Sequence, residues 1–303
     1  MNFKKLGVAD YPALRPYFDP MPYRLSVYSL PSLIAWGNCV FETHYAAEGG
    51  LLVIANESRL RPDDRHLILP ISPGGDPSPE QLHSLARESG FHQYWCACGD
   101  YVERHRQGLG PLFQLEEQPE FEDYVYLAED LAALRGNRYV RKRNLIHQFE
   151  REFIKNGNRA AVEPVTRESV PECLAFLEAW CAQRDCDIDG DTDLACERQA
   201  VITSLEHLEA LGLEGILIRL DNRVCAFGIA ARFNGDTGIL SYEKAFSDVK
   251  GLYQFLDREC AKRLFAGCRY INKESDMSLP NLAAMKRSYH PVMRVKSYKL
   301  TLK

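Results

Sequence analysis

The sequence predicts a mixed α/β fold arranged as two domains. The chain of 303 residues is longer than a typical single domain. Its hydrophobic content of 46% and charged content of 26% are typical of a globular protein with a buried core. Strand and helix periods recur in the same order in both halves, which predicts an N-terminal domain at residues 1–130 and a C-terminal domain at residues 131–303. One large mixed sheet with insertions is the alternative, because the halves share no residue-level identity.

The N-terminal half carries the weaker pattern. Alternating apolar residues bounded by turn residues predict strands, and apolar residues at three- and four-residue spacing predict helices. The predicted strands are Asn2–Leu6, Cys39–Tyr45, Gly50–Asn56, His66–Ile71, His92–Trp95, Phe113–Glu117 and Asp123–Leu127. The predicted helices are Tyr11–Phe18, Leu25–Trp36, Pro79–Glu88, a weak one at Tyr101–Gln107, and a polar helix at Leu134–Asn158 that connects the halves.

The C-terminal half has the clearer pattern and predicts a sheet with a central set of hairpins and flanking helices. Asp221-Asn222-Arg223 and Asn234-Gly235-Asp236 separate three of its strands and are suited to hairpin turns. The predicted strands are Ala160–Val165, Gly215–Leu220, Val224–Phe233, Gly238–Lys244, Arg269–Asn272 and Val292–Leu300. The predicted helices are Glu168–Arg184, Leu194–Leu211, Gly251–Phe265 and Pro280–Ser288.

Charge and apolar content restrict the class of protein. A net charge of −5 argues against a surface that coats nucleic acid, although a local basic patch is compatible with it. The first residues form no secretory signal, and no apolar run reaches the length of a membrane span. We therefore expect a cytoplasmic protein with no integral membrane association, no metal and no firmly bound cofactor. Asp185–Gly190 opens like a calcium loop, but Cys196 stands where the bidentate glutamate is required, so we reject this motif.

A turn between a strand and a helix is the first candidate binding element. Backbone N–H groups at a helix start, together with the helix dipole, favour a pyrophosphate or another anion. A glycine in such a turn permits close approach, and a neighbouring lysine adds positive charge. The alternative is an ordinary strand-to-helix turn. The predicted carrier-binding residues are Val249, Lys250, Gly251, Leu252 and Tyr253.

Polar side chains at the ends of three elements are the candidate catalytic residues. Glu243 ends a strand and could take a proton from an attacking amine. Tyr289 ends a helix and could donate a proton to a leaving group, and Asn272 could orient a carbonyl or hydroxyl group. A surface ion pair and ordinary packing are the alternatives. The residues predicted to contact substrate nearby are Lys244, Lys273, Glu274, Lys286 and His290.

The connecting helix is rich in basic residues. Its arginines and lysine recur at three- and four-residue spacing, which suits a phosphate-rich partner such as RNA or an anionic headgroup. A solvated connector helix is the alternative. The residues predicted to contact such a partner are Arg138, Arg141 and Lys142.

Several segments resemble the C-terminal domain of phosphatidylglycerol lysyltransferase, a bacterial family. They are YVRKRNLIHQF at 139–149, Tyr242–Ala245, Lys250–Tyr253, and INKESD, LPNL and MKRSYHP between 271 and 291. The resemblance implies two tandem GNAT-type acyltransferase domains, and transfer of an aminoacyl group from a charged tRNA to a lipid headgroup. The sequence departs from the family pattern at Lys273, Ser278 and Asn281.

The residues and the resemblance together predict an acyl- or aminoacyltransferase. The donor is either an aminoacyl-tRNA or an acyl-CoA thioester, and the acceptor is an amine or hydroxyl of a small molecule or headgroup. We expect the N-terminal domain to be degenerate and the C-terminal domain to hold the active groove. The alternative is a non-catalytic GNAT-fold module that binds RNA, an anionic ligand or a protein partner.

Overall fold

The structure is a computed structural model that describes residues 1–19, 21, 23–37, 39, 41–59, 61, 63–183 and 192–303. Arg184 and the rejected motif Asp185–Gly190 lie outside the described residues. The strands are Lys4–Lys5 (β1), Phe41–Glu48 (β2), Leu51–Ser58 (β3), Arg65–Leu67 (β4), Gln93–Cys98 (β5), Phe113–Glu117 (β6), Asp123–Leu127 (β7), Ala160–Pro164 (β8), Leu213–Leu220 (β9), Arg223–Arg232 (β10), Thr237–Ala245 (β11), Tyr270–Asn272 (β12), Met293–Val295 (β13) and Ser297–Leu302 (β14). The helices are Tyr11–Phe18 (α1), Leu30–Trp36 (α2), Pro79–Ser89 (α3), Gly99–Leu112 (α4), Ala128–Ala133 (α5), Val140–Phe149 (α6), Val170–Gln183 (α7), Thr192–Glu206 (α8), Leu252–Arg263 (α9) and Pro280–Arg287 (α10).

The chain divides into two compact units. Unit 1 contains Met1–Tyr124, Glu274–Lys286 and Met293–Lys303, and unit 2 contains Val125–Lys273 and Arg287–Val292. The sheet of unit 1 has the strand order β1-β2-β3-β4-β5-β14-β6. The strands of unit 2 follow the order β7-β12-β11-β10-β9-β8. Both sheets combine antiparallel pairs with one parallel pair, β4–β5 in unit 1 and β11–β12 in unit 2.

The parallel pair of unit 1 is short, and the side chain of Tyr28 lies where the pairing ends. Leu67 on β4 is opposite Tyr94 on β5. Beyond that point the hydroxyl of Tyr28 accepts a hydrogen bond from Leu69 N at 3.2 Å and donates one to Cys96 O at 2.9 Å. Tyr28 is fully buried. One side chain therefore joins the two strands of unit 1 after their own pairing stops.

The sheet of unit 2 is covered on both faces. Eight consecutive residues of β10 are buried, as expected for a strand with helices on both sides. Phe227 contacts Phe176 of α7, while Gly228 faces α9 so closely that an added Cβ would lie 2.4 Å from Cys260 Sγ. The alternation of side chains along the strands thus separates an α7 face from an α9 face.

The last strand is the main departure from the predicted topology. The sequence pattern assigned Val292–Leu300 to the C-terminal sheet as one strand. The structure divides this segment: β13 does belong to the second sheet, next to β7, whereas β14 lies in the sheet of unit 1. Its residue Leu300 is opposite Tyr94 on β5 and Leu115 on β6. The alternation in this segment specifies a half-buried strand, but it contains no information about the sheet that the strand joins.

The predicted connecting helix is also more irregular than expected. A 3-10 turn at Asn137–Tyr139 precedes α6, and a π-helical segment at Glu150–Lys155 follows it. The helix α5 just before it was not predicted. None of the helices in the described part of the chain combines the length and apolar character that a bilayer-spanning helix requires.

The cysteines of the described residues occur both as free thiols and in disulfide bonds. Seven of them are free thiols in the described residues. Cys39 and Cys196 each take part in a disulfide bond, which their spacing in the sequence did not predict.

Candidate active site in unit 2

The candidate site lies where β11 and β12 stop pairing. These parallel strands are paired from Thr237–Tyr270 to Ile239–Asn272. The strand β11 continues for six residues to Ala245, whereas β12 ends at Asn272. We call the space that this divergence creates the β11–β12 gap. Asn272 is fully buried at its closed end.

Two carboxylates and one ammonium group meet in the gap. Lys273, directly after β12, places Nζ 2.6 Å from Glu243 Oε2 and 3.0 Å from Asp257 Oδ1. Asp257 comes from α9, and its side chain and that of Lys273 are each 5% exposed. Burial disfavours the charge on Lys273, but the carboxylates of Asp257 and Glu243 outweigh burial and hold its pKa above its ordinary value. Lys273 therefore keeps its positive charge at neutral pH between the two carboxyl groups.

Tyr289 completes this network, and we refer to Glu243, Asp257, Lys273 and Tyr289 as the ionisable cluster. The buried hydroxyl of Tyr289 donates a hydrogen bond to the Asp257 carboxylate. Burial, followed by the negative charges of Asp257 and Glu243, raises the pKa of Tyr289 well above its ordinary value. The phenol thus keeps its proton and acts as a hydrogen-bond donor.

Lys142 of α6 lies at the edge of the ionisable cluster. Its Nζ is 3.4 Å from the ring centroid of Tyr289 and 2.8 Å from Ser288 Oγ. The pKa of Lys142 is lowered to about 8. Burial is the main cause and the positive charge of Lys273 adds to it, whereas the negative charge of Asp257 opposes the shift. The sequence predicted Lys142 as a contact for a phosphate-rich partner, whereas the structure places it beside Tyr289.

The strand pair Glu243 and Lys244 is divided between the two faces of the sheet. Lys244 points to the α7 side, where Nζ lies 2.6 Å from Glu197 Oε1 and 4.2 Å from the ring of Trp180. Trp180 Nε1 in turn donates a hydrogen bond to Ala245 O at 3.0 Å. Successive side chains of a strand face opposite ways. The two residues that the sequence grouped as one site are therefore not side by side.

The turn at the start of α9 is shaped by packing against α6. Gly251 has a φ of +83°, and a Cβ at this position would lie 2.2 Å from Leu145 O. Only glycine fits this position, since it lies in the left-handed region against a neighbouring backbone. Val249 O accepts a hydrogen bond from Leu252 N at 3.2 Å, and Lys250 is exposed. The tight helix contact alone explains the glycine, while the exposed Lys250 leaves the turn open to an anion.

The basic residues near α6 are largely engaged within unit 2. Arg138 pairs with Asp130 at 2.7 Å, and Arg143 donates to Gly136 O at 2.7 Å. Arg141 is exposed. The helix therefore presents less uncompensated positive charge than its sequence indicates.

Three other predicted contacts form interactions outside the ionisable cluster. Lys286 and Glu274 belong to unit 1, where Lys286 Nζ donates to Glu274 O at 3.1 Å and thereby fixes the chain that follows β12. His290 is exposed in unit 2, and its ring meets that of Tyr139 edge-on at 5.4 Å.

Asp257 is the member of the cluster that the sequence reasoning missed. It lies three residues before Cys260 and four before Ala261, both of which are buried on the sheet-facing side of α9. An acidic residue on the apolar face of an amphipathic helix is unusual without a partner. That signal was present in the sequence and could have identified it.

The comparisons with known proteins agree with this fold. The family described as "Phosphatidylglycerol lysyltransferase, C-terminal" matches residues 42–301. A protein of unknown function from Bacteroides thetaiotaomicron has a similar crystal structure, with a TM-score of 0.89 and 26% identity over 100% of both chains. The C-terminal domain of a lysylphosphatidylglycerol synthetase from Agrobacterium fabrum has a TM-score of 0.64 and 13% identity, over 97% of this chain and 91% of that chain. A tandem GNAT protein from the clavulanic acid biosynthesis pathway has a TM-score of 0.45 and 8% identity, over 99% and 98%. A comparison with curated proteins finds no match.

These findings confirm the predicted fold class. The chain has a mixed α/β fold with two mixed sheets, and it shares this fold with the structures from Bacteroides thetaiotaomicron and Agrobacterium fabrum. The resemblance noted in the sequence is confirmed over most of the chain.

Proposed function

Since this chain belongs to the family of phosphatidylglycerol lysyltransferase C-terminal domains, we propose that it is an acyltransferase that moves an acyl or aminoacyl group from a carrier to an amine or hydroxyl. The observation that carries this proposal is the position of the ionisable cluster in the β11–β12 gap. Unit 2 there combines an open strand edge with hydrogen-bond donors and acceptors. Acyl transfer requires such a combination, because a carrier must be held while charge develops on a carbonyl oxygen.

The open edge of β11 supports binding of an extended carrier arm. Beyond Ile239, the side of β11 that faces β12 has no strand partner in the described residues. Backbone N–H and C=O groups on such an edge need hydrogen-bond partners. We propose that the acyl-bearing end of the carrier lies along this edge and directs its carbonyl group toward the ionisable cluster.

The cluster residues then act on the carbonyl oxygen. The Lys273 ammonium lies in a buried setting, where electrostatic stabilisation of a developing oxyanion is strongest, and Tyr289 would turn its single O–H from Asp257 to the same oxygen. Glu243 Oε2 lies 2.6 Å from Lys273 Nζ. We therefore propose that Glu243 and Asp257 keep Lys273 charged and oriented, and that Asn272 supports the closed end of the gap.

We propose aminoacyl-tRNA as the donor, because the family is named for an aminoacyl transfer. Acyl-CoA is the second candidate, since the turn Val249–Tyr253 begins a helix of twelve residues and presents the exposed Lys250. For the acceptor we propose a hydroxyl of a phosphatidylglycerol-like headgroup or a small amine.

A labelled transfer assay tests these proposals. Purified protein is incubated with lysyl-tRNA, alanyl-tRNA or acetyl-CoA labelled in the acyl group, together with phosphatidylglycerol vesicles or a mixture of small amines. Stable labelled product is then separated from the free acid. Product from either tRNA supports the proposed donor, and product from acetyl-CoA alone replaces it by the second candidate.

Tyr289→Phe is the matched site variant, because it removes one hydroxyl and keeps the ring. We expect transfer to fall about 100-fold, as for loss of one oxyanion donor. Tyr298→Phe, a tyrosine of unit 1, is the control and should leave transfer unchanged. If no donor gives product and the protein instead binds tRNA with a steep salt dependence, the chain is a binding module and the proposal fails.

A further inference from the structure

Lys142 differs from every member of the ionisable cluster in its partners. Lys273 lies within 3.0 Å of two carboxylates. In the part of the chain that the structure describes, Lys142 Nζ forms no ion pair, and its contacts are the Ser288 hydroxyl and the face of the Tyr289 ring. A neutral hydroxyl and an aromatic face permit both the ammonium and the amine form of a lysine. Lys142 is therefore the basic group at the site that can give up its proton without breaking an ion pair.

The titratable groups that face Lys142 come from three parts of the chain. Asp257 approaches from α9 and favours the ammonium form, Lys273 after β12 disfavours it, and Tyr289 remains neutral. Partial burial outweighs the attraction of Asp257, so that the pKa of Lys142 falls to about 8. A group that titrates near the working pH is the most effective general acid or base. The carboxyl groups of Asp257 and Glu243 keep Lys273 protonated, and Tyr289 also keeps its proton, so neither of these groups suits this task.

We propose that Lys142 is the proton-transfer residue of the acyl transfer, an inference that rests on the proposed function. The neutral amine takes the proton from the acceptor hydroxyl or amine as its oxygen or nitrogen forms a bond to the acyl carbon. The bond between the acyl carbon and the carrier then breaks, and the carrier oxygen or sulfur leaves with the electron pair. The Lys142 ammonium returns the proton to that atom. The acceptor loses one hydrogen and the carrier gains one, so that the lysine is regenerated.

The test compares Lys142→Met and Lys142→Arg with the unchanged protein, using whichever labelled donor and acceptor give product in the transfer assay. We expect both variants to lose about 100-fold or more in rate, because arginine keeps the charge but cannot release a proton. The acidic limb of the pH–rate profile should have its midpoint near the pKa of about 8 and should disappear in Lys142→Met. Lys155→Met, at an exposed position of the same helical segment, is the control and should retain the full rate and profile.

Chemical rescue separates proton transfer from a structural role. In Lys142→Ala, added ethylamine should restore part of the rate. The restored rate should rise in proportion to the concentration of the neutral amine. A second measurement needs no activity: after reductive ¹³C-methylation, the resonance that is missing in Lys142→Arg should titrate near pH 8.

Each outcome decides between the two proposals. If the unchanged protein transfers an acyl group and Lys142→Arg keeps the rate and the pH profile, Lys142 supplies only charge and this inference is wrong, while the proposed function stands. A Lys142 resonance that titrates at the ordinary pKa of a lysine, about 10.4, also overturns it. If the unchanged protein transfers from no donor, both proposals fall together.

Discussion

The two units contain the same kind of strand divergence and use it differently. In unit 1, β4 and β5 separate after one parallel pair, and the buried Tyr28 hydroxyl connects their backbones through Leu69 N and Cys96 O. In unit 2, β11 and β12 separate after three pairs, and Glu243, Asp257, Lys273 and Tyr289 occupy the space. The Tyr28 hydroxyl thus bonds to the backbone of both diverging segments in unit 1, whereas ionisable side chains occupy the gap in unit 2. The same divergence can therefore be filled by a neutral hydroxyl or by a charged cluster.

We expect the largest effect from removing the Lys273 cation in unit 2. Lys273→Met removes the ammonium group that lies within 3.0 Å of both Glu243 and Asp257. Removing one partner of a buried ionic network costs about 3–5 kcal/mol. We expect a decrease of this size in the free energy of unfolding, measured by hydrogen exchange of the amides in β11 and α9.

A second variant distinguishes lost charge balance from lost packing. The triple change Lys273→Met, Glu243→Gln and Asp257→Asn removes all three charges and should recover part of the loss. If the triple variant is no more stable than Lys273→Met alone, the network does not depend on charge balance in the way that we describe.

The next effect concerns the glycine at the start of α9. Gly251→Ala places an L-residue at φ +83° and a Cβ 2.2 Å from Leu145 O. The left-handed conformation costs about 1–2 kcal/mol, and the overlap with backbone adds about 1–3 kcal/mol. Its counterpart in unit 1 is Gly90, with φ +74°, where an added Cβ would meet only Arg65 Nη2 at 3.7 Å. Gly90→Ala should therefore cost only the conformational part, and equal losses in chemical denaturation would contradict this account of Gly251.

The sequence predicted the elements of the fold better than their connections. Periodicity located β9, β10, β11 and α9 closely, because these segments alternate or repeat regularly along their own length. It assigned the last strand to the wrong sheet, because Ser297–Leu302 reads as the same half-buried strand in either place. The local pattern shows the side-chain period of a strand. The sheet that the strand joins depends instead on pairing with residues far away in the sequence, such as Tyr298 with Glu117 and with Ala97.

The candidate site was predicted in part for the same reason. Glu243, Lys273 and Tyr289 were selected because they end elements, and the structure brings these three together. Lys244 was included because it is adjacent in sequence, although a strand directs it to the opposite face. Asp257 was omitted because it lies inside a helix, and Lys142 was assigned to a basic surface because a charge pattern does not reveal burial.

We expect a smaller effect on stability from removing the Tyr28 hydroxyl in unit 1. Tyr28→Phe keeps the ring and leaves Leu69 N and Cys96 O without their shared hydroxyl. Unsatisfied buried groups of this kind cost about 1–3 kcal/mol. We expect this loss in hydrogen exchange of β5 and an unchanged rate of acyl transfer. A variant of normal stability that lost transfer would show that the gap of unit 1 takes part in function.

The smallest effect is a difference in the pH windows of the two units. In unit 1, burial lowers the pKa of His66 to about 3, where the ring stacks on Trp95 at 4.3 Å and its Nε2 meets Asn56 Nδ2 at 3.2 Å. The unfolded chain binds a proton at His66 near pH 6.5 and the folded chain does not, so stability falls by about 1.4 kcal/mol per pH unit below pH 6.5. His66→Gln, which has no titrating group, should remove this slope in urea unfolding between pH 6.5 and 5.

In unit 2, the corresponding window lies at high pH. The pKa of Lys142 is about 8 in the folded chain and higher in the unfolded chain, so the unfolded state binds the extra proton between these values. Stability should therefore rise from pH 8 toward pH 10 in the unchanged protein and remain flat by comparison in Lys142→Met. Burial of the neutral His66 therefore makes unit 1 less stable in acid, whereas burial of Lys142 lowers the free energy of unfolding of unit 2 at neutral pH. Equal slopes in the unchanged protein and in Lys142→Met would contradict the lowered pKa of Lys142.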